Sequence, residues 1–221
     1  MTLPSPGLML PSPALGRFPR RRVGLLGGSF NPAHDGHIHI AREALKRLAL
    51  DEVWLLVSPQ NPLKSARDMA PLVVRLAGAK AQCGADPRLR AMSLETAMGT
   101  RYTADSLAVL RKRFPKTRFV WLMGADNLDQ IHRWQNWRRI FHAMVIAVFA
   151  RPAYDVKALA GKAARALSTA RVAPSRARSL ATFDPPAWTF FPVRHHPASA
   201  TRLRALIKRA KPGRSARSTD A

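Results

Sequence analysis

Apolar residues along this chain fall into short unbroken runs separated by stretches in which they return every three or four positions. The runs "RVGLLGG" (22 to 28), "EVWLLVSP" (52 to 59), "RFVWLMG" (118 to 124) and "MVIAVFA" (144 to 150) have the signature of strands buried on both faces. Weaker strand signals lie in "LRAMSLE" (89 to 95) and around "WTFFPV" (188 to 193). After the first run, Ile40, Ala41, Ala44, Leu45 and Leu48 recur at helical spacing and predict an amphipathic helix over 37 to 49. Further helices are predicted near 72 to 83, 103 to 114, 134 to 141, 156 to 170 and 199 to 210. Strand and helix in alternation imply parallel strands joined by crossovers, hence an α/β protein with a doubly wound parallel sheet. In such sheets ligands sit beyond the carboxyl ends of the strands, where strand order reverses. Four polar or glycine-rich segments would meet on that rim: "GGSFNPAHDGH", "SPQNPLK", "GADNLDQIHRW" and "HHPASATRLR".

Composition narrows the picture. With 221 residues and 47% hydrophobic content, the chain can bury one sizeable core, and a single domain over 21 to 210 is expected. The proline-broken leader 1 to 20 and the polar tail 211 to 221 are read as disordered extensions. The single cysteine, Cys83, has no intramolecular disulfide partner, which favours a reducing compartment and a cytoplasmic location. No apolar run approaches the roughly 18 residues of a membrane span. The net charge of +24 raises nucleic acid as a partner. Residues 151 to 221, however, carry 15 Lys or Arg against Asp155, Asp184 and Asp220, so half of the excess is scattered among alanines and serines near the end. That pattern reads as a solvated helix face, and a small anionic substrate accounts for part of the surplus.

The stretch "GGSFNPAHDGHIHIA" places His34 and His37 where a helix begins. A helix start presents unbonded N–H groups and the positive end of its dipole, so an anion is stabilised there. Gly27 and Gly28 are expected to let a bulky anion approach the main chain, and the two imidazoles to point at it. The dipole disfavours imidazolium while a bound polyphosphate favours it, so both rings are expected to become at least partly cationic when nucleotide binds. Other nucleotide signatures are missing: there is no GxxxxGK[ST], no GxGxxG, and no HExxH for catalytic zinc.

"GGSFNPAHDGH" resembles the GxFxPxHxGH signature of nucleotidylyltransferases related to class I aminoacyl-tRNA synthetases, and "ASATRLR" (198 to 204) resembles their second signature, ISSTxIR. Within that superfamily the chain is most similar to the bacterial nicotinate-nucleotide adenylyltransferases, through "NPLK", "RYTADSL" and "LMGADNLDQIHRWQNWRRIF" as well. The resemblance implies a Rossmann-like nucleotidylyltransferase fold and adenylyl transfer from ATP to nicotinate mononucleotide, with release of pyrophosphate, as a step of NAD biosynthesis. It implies catalytic roles for His34, His37 and Arg204, and ATP contacts from Gly28, Ser29, Phe30, Asp126, Ser199 and Thr201. It assigns the mononucleotide to Lys64, Thr103 and Trp134, with the indole stacked on the pyridine ring. Magnesium is expected to arrive with ATP, without a dedicated cage of protein ligands. Ala198 and Ala200 depart from the second signature, and Gln135 stands where a tyrosine is frequent, which bears on substrate preference more than on the reaction.

Two other readings compete. Pantetheine-phosphate adenylyltransferases share the chemistry but give Trp134 and "RYT" no purpose. A non-catalytic, basic nucleic-acid-binding protein would explain the charge, yet most aromatic residues sit in the apolar runs and not among the arginines. Small-molecule substrates are therefore the expected partners, with neither a membrane nor nucleic acid among them, and self-association is left open.

Overall fold

The computed structural model describes residues 21–59, 69–150 and 155–192. Six strands build one sheet: β1 (Arg22–Gly28), β2 (Glu52–Val57), β3 (Leu89–Met92), β4 (Arg118–Gly124), β5 (Val145–Phe149) and β6 (Trp188–Phe191). Their order is β3-β2-β1-β4-β5-β6, and every neighbouring pair is parallel. The chain moves outward from β1 to β3 on one side and from β4 to β6 on the other. The reversal between β1 and β4 is the point at which a doubly wound sheet opens a crevice. Leu25 pairs with Trp54 on one side and Trp121 on the other, so β1 is covered along both edges. Val23, Gly24, Leu25 and Leu26 are also buried in succession, so both faces of β1 are covered, which is the reason its sequence is apolar without alternation.

Eight α-helices are described: α1 (Asp35–Arg47), α2 (Leu72–Cys83), α3 (Leu94–Met98), α4 (Thr103–Arg113), α5 (Ala125–Gln130), α6 (Trp137–Ala143), α7 (Asp155–Ala160) and α8 (Lys162–Ala166). Short 3-10 segments span Ile131–Arg133, Ser168–Ala170 and Pro174–Thr182. Ile38, Ile40, Ala41, Ala44 and Leu45 form the buried stripe of α1, as its spacing predicts. The helix starts at Asp35 and not near His37, because His34 is its cap.

Other boundaries depart from the sequence pattern for local reasons. The segment 89–95 stops being a strand at Met92 and turns into α3. The helix expected over 134 to 141 begins at Trp137, after an extended Trp134. The single helix expected over 156 to 170 is broken at Gly161, which caps α8 with extended backbone (φ −69°, ψ 163°). Helix α5 has six residues, too few for a periodicity to register. The basic stretch Pro174–Thr182 buries Ala177, Leu180 and Ala181 while Arg176 and Arg178 stay exposed, so the arginines among small residues do lie on a solvated face. The helix expected over 199 to 210 and both end segments lie outside the described residues.

All strands contribute to one hydrophobic cluster. Glu52, buried at the amino-terminal edge of β2, is held by Arg21, by Trp54 Nε1 at 2.9 Å and by Arg90 at 3.3 Å. A buried carboxylate with that many donors is a structural anchor, and it lies at the end of the sheet away from the crevice. No described helix is long and apolar enough to cross a membrane.

Gly27 departs from its expected purpose. A Cβ there would run into the ring of Trp121, with Cζ2 at 2.8 Å, so the space is taken by core packing from β4 and not by an anion. The ring of Phe30 similarly fills the space beside Gly28, at 3.3 Å from an added Cβ. Gly27→Ala is therefore expected to overpack the core and lower stability by about 1–3 kcal/mol. Chemical unfolding would measure the loss, and an unchanged midpoint would show that Trp121 yields freely.

Candidate active site

The carboxyl end of β1 delivers Gly28, Ser29 and Phe30 into the crevice between β1 and β4. Phe30 holds φ 47°, a left-handed conformation that a bulky residue adopts at a cost of roughly 1–2 kcal/mol. Its ring is buried at 2% exposure, against Gly28 on one side and His37 at 4.8 Å between centroids on the other. Packing thus holds a turn that the backbone alone disfavours.

His34 and His37 cap α1 reciprocally. His34 Nδ1 accepts from the Gly36 N–H at 3.1 Å, and His37 Nδ1 accepts from the His34 N–H at 3.2 Å. The two rings lie 3.8 Å apart between centroids. His34 is buried at 4% exposure, and His37 is half-buried. With both Nδ1 atoms accepting, the neutral rings carry their protons on Nε2. Protonating either Nδ1 would give up a cap worth about 1 kcal/mol. Capping thus uses Nδ1 of each ring and leaves Nε2 for anion recognition, so the two tasks fall to different nitrogens of the same rings.

The other side of the crevice comes from β4, whose last residue, Gly124, caps α5 and places half-buried Asp126 in its first turn. Thr103 opens α4, and Trp134 sits three residues before α6, half-buried against the core. Helices α4 and α6 pack together, and Arg139 pairs with Asp105 at 3.5 Å, so the segments carrying Thr103 and Trp134 lie side by side. Thr100 Oγ1 and Ser106 Oγ, 2.8 Å apart, close the "RYT" turn onto α4. Gly28, Ser29, Phe30, His34, His37 and Asp126 are thus gathered around the crevice, with Thr103 and Trp134 grouped on the α4–α6 flank. Lys64, Ser199, Thr201 and Arg204 lie outside the described residues. Among the described residues, no group of three His, Cys, Asp or Glu side chains could hold a metal ion.

Two rim residues escape a motif reading. Arg75 in α2 is buried at 3% exposure and gives four hydrogen bonds to main-chain oxygens: Nε to Ala70 at 2.8 Å, Nη1 to Ser29 and Ser58 at 2.7 Å each, and Nη2 to Pro59 at 2.8 Å. Burial lowers its pKa from the ordinary arginine value, yet arginine stays charged at any physiological pH. Hydrogen bonds from a charged donor contribute about 1.5–3 kcal/mol each, enough together to offset a desolvation cost of several kcal/mol. The signal in the sequence was one arginine on the buried stripe shared with Ala79 and Cys83. The second is Glu95 in α3, whose Oε2 accepts from Ser58 Oγ at 3.0 Å. Burial pushes its carboxyl above the ordinary value of 4.5, with the Ser58 hydrogen bond pulling the other way.

Residues 25–206 match the cytidylyltransferase-like family model. The chain is 50% identical over 192 residues to a probable nicotinate-nucleotide adenylyltransferase of Gluconacetobacter diazotrophicus, covering 87% of this chain and 89% of that protein. A Cereibacter sphaeroides protein of the same description is 50% identical over 183 residues, covering 83% of this chain and 96% of the relative. The fold is similar to that of a Plasmodium falciparum nicotinic acid mononucleotide adenylyltransferase complexed with NaAD, with a TM-score of 0.63 at 14% identity over 84% of this chain and 83% of that one.

Glu95 generates a prediction about pH. Its pKa is raised on folding, so the folded state holds the proton more tightly and stability falls as pH rises from the unfolded value through the folded one. Glu95→Gln keeps an acceptor for Ser58 and removes that loss. The variant is expected to be more stable than the parent at neutral pH, with the gap closing below pH 4.5, in unfolding curves recorded across pH.

Proposed function

The chain belongs to the cytidylyltransferase-like family and, within it, to the nicotinate-nucleotide adenylyltransferases, and we propose from that premise how its residues divide the work of adenylyl transfer. ATP, entering as its magnesium complex, lies with its phosphates over the start of α1 and along the turn at Gly28, Ser29 and Phe30. His34 and His37 direct Nε2–H donors toward the leaving pyrophosphate. Asp126 faces the adenylate, and Thr103 and Trp134 receive the nicotinate ring. Lys64, Ser199, Thr201 and Arg204 complete the grip on phosphate, a role that rests on the motif resemblance. The carrying observation is the reciprocal histidine cap on α1, the helix that follows β1 at the crevice.

The 5′-phosphate oxygen of the mononucleotide attacks the α-phosphorus of ATP. A new O–P bond forms as the bond from that phosphorus to the bridging oxygen breaks, and pyrophosphate departs with the bridging oxygen. The nucleophile is already ionised near neutral pH, so no general base is needed. The protein supplies position and fixed dipoles. Nε2–H donors suit this role, because they stabilise developing charge without a proton transfer. The cytoplasm is the compartment we assign, on the strength of the single buried cysteine.

Two measurements test this reading. Nicotinate mononucleotide, nicotinamide mononucleotide and phosphopantetheine, offered in turn with ATP, are expected to release pyrophosphate fastest with the first. Release with phosphopantetheine alone would overturn the substrate assignment. His37→Ala is expected to lower kcat by roughly 100- to 1000-fold, and to cost about 1 kcal/mol of stability through the lost cap. His37→Gln restores an acceptor for the His34 N–H, so it is expected to recover the stability and not the rate. Full turnover in the glutamine variant would reduce His37 to a cap.

A further inference from the structure

We infer that Arg75 is a positioning residue for adenylyl transfer, aiming the Phe30 N–H into the crevice by holding the carbonyl of Ser29; this rests on the reaction proposed above. The peptide joining Ser29 to Phe30 is planar and trans, so its C=O and N–H point in opposite directions. Arg75 Nη1 binds the Ser29 oxygen at 2.7 Å from beneath the rim. The Phe30 N–H is thereby turned away from Arg75. The same nitrogen binds the Ser58 oxygen at 2.7 Å, and Ser58 N donates to the Gly28 oxygen at 3.0 Å. The turn after β1 and the end of β2 are thus fixed to each other on both sides of Ser29.

An apolar side chain would complete the buried stripe of α2 with Ala79 and Cys83 without desolvating a charge. No carboxylate among the described residues pairs with Arg75, and every bond it makes goes to a main-chain oxygen of the rim. A planar fork of donors can hold carbonyls from separate segments in one fixed relation, which the ammonium of lysine cannot. Phe30 has a left-handed φ of 47°, so its peptide plane needs support from outside the local backbone. Ring packing supports the side chain, and Arg75 supports the peptide plane.

The test uses the full chain with Arg75→Lys, which keeps the charge, and Arg75→Met, which keeps the bulk. Folding is checked by circular dichroism and unfolding midpoint before kinetics. In variants folded at the assay temperature, kcat is expected to fall by roughly 10- to 100-fold, the scale of a misplacement near 1 Å. KM for the mononucleotide should stay within about threefold, since its pocket lies on the α4–α6 flank. Binding of a nonhydrolysable ATP analogue, measured by calorimetry, should weaken in both variants and reads the turn whatever the acceptor. A wild-type chain that bound the analogue but turned over no acceptor would sink the reaction and leave the positioning role standing. Folded variants with wild-type kcat and analogue affinity would overturn the proposal. Failure of both to fold would overturn it equally, because Arg75 would then serve the fold and not the site.

Discussion

A helix that starts just beyond a central parallel strand carries backbone N–H groups that nothing in its own ladder can satisfy. The rest of this site follows from how the chain meets that need. A serine or aspartate would cap as well, but the hydroxyl brings one small donor and the carboxylate repels an anion. An imidazole accepts with one nitrogen and donates with the other. His34 and His37 each spend Nδ1 on the cap, which sets the tautomer and keeps Nε2 a donor. Structure and chemistry are satisfied by the same two rings, and the price is the near-complete burial of His34.

The strands were legible because burial on both faces writes an unbroken apolar run, and each run from 22 to 149 became a strand within a residue or two. Where helices depart from the pattern, they are short. Helix α5 follows β4 without a loop and is too short to show a period, and the helix expected over 156 to 170 divides at Gly161 into α7 and α8. The histidine pair was legible as a motif, but its geometry was not. Spacing placed both rings in a first turn; only the extended backbone of His34 reveals that one is the cap and that the helix starts earlier. Gly27 misled for a related reason. A missing Cβ shows that something approaches closely, and only the fold reveals that it is Trp121.

Arg75 was invisible to motif reasoning because its partners are main-chain oxygens, which have no letter in a sequence. A parallel sheet brings all its carboxyl ends to one rim, where strand ladders stop and carbonyls need donors. One buried guanidinium supplies four of them. At the opposite end of the sheet the buried charge is Glu52, matched by arginines and an indole. The two ends therefore handle burial differently: one neutralises its charge, the other keeps a cation close to where a polyanion would bind.

That contrast bears on the charge of the whole chain. Many surface arginines lie over aromatic rings, as Arg171 does over Trp188 at 5.4 Å, Arg176 over Phe183 at 4.9 Å and Arg138 over Trp137 at 4.6 Å. Their stems cover apolar surface while their charges stay in water, where salt screens them beyond about 8 Å. Such charges can steer an anion toward the molecule, but they cannot choose the atom at which it reacts. Fixed groups of the kind proposed at the crevice can: the α1 terminus, the Nε2 donors and the peptide held by Arg75 would need little reorganisation when charge moves during transfer. The +24 excess can therefore draw an anion in without placing it. Discrimination between atoms needs fixed geometry, and beyond β1 it is two histidine caps and one buried arginine that hold the main chain of the rim in place.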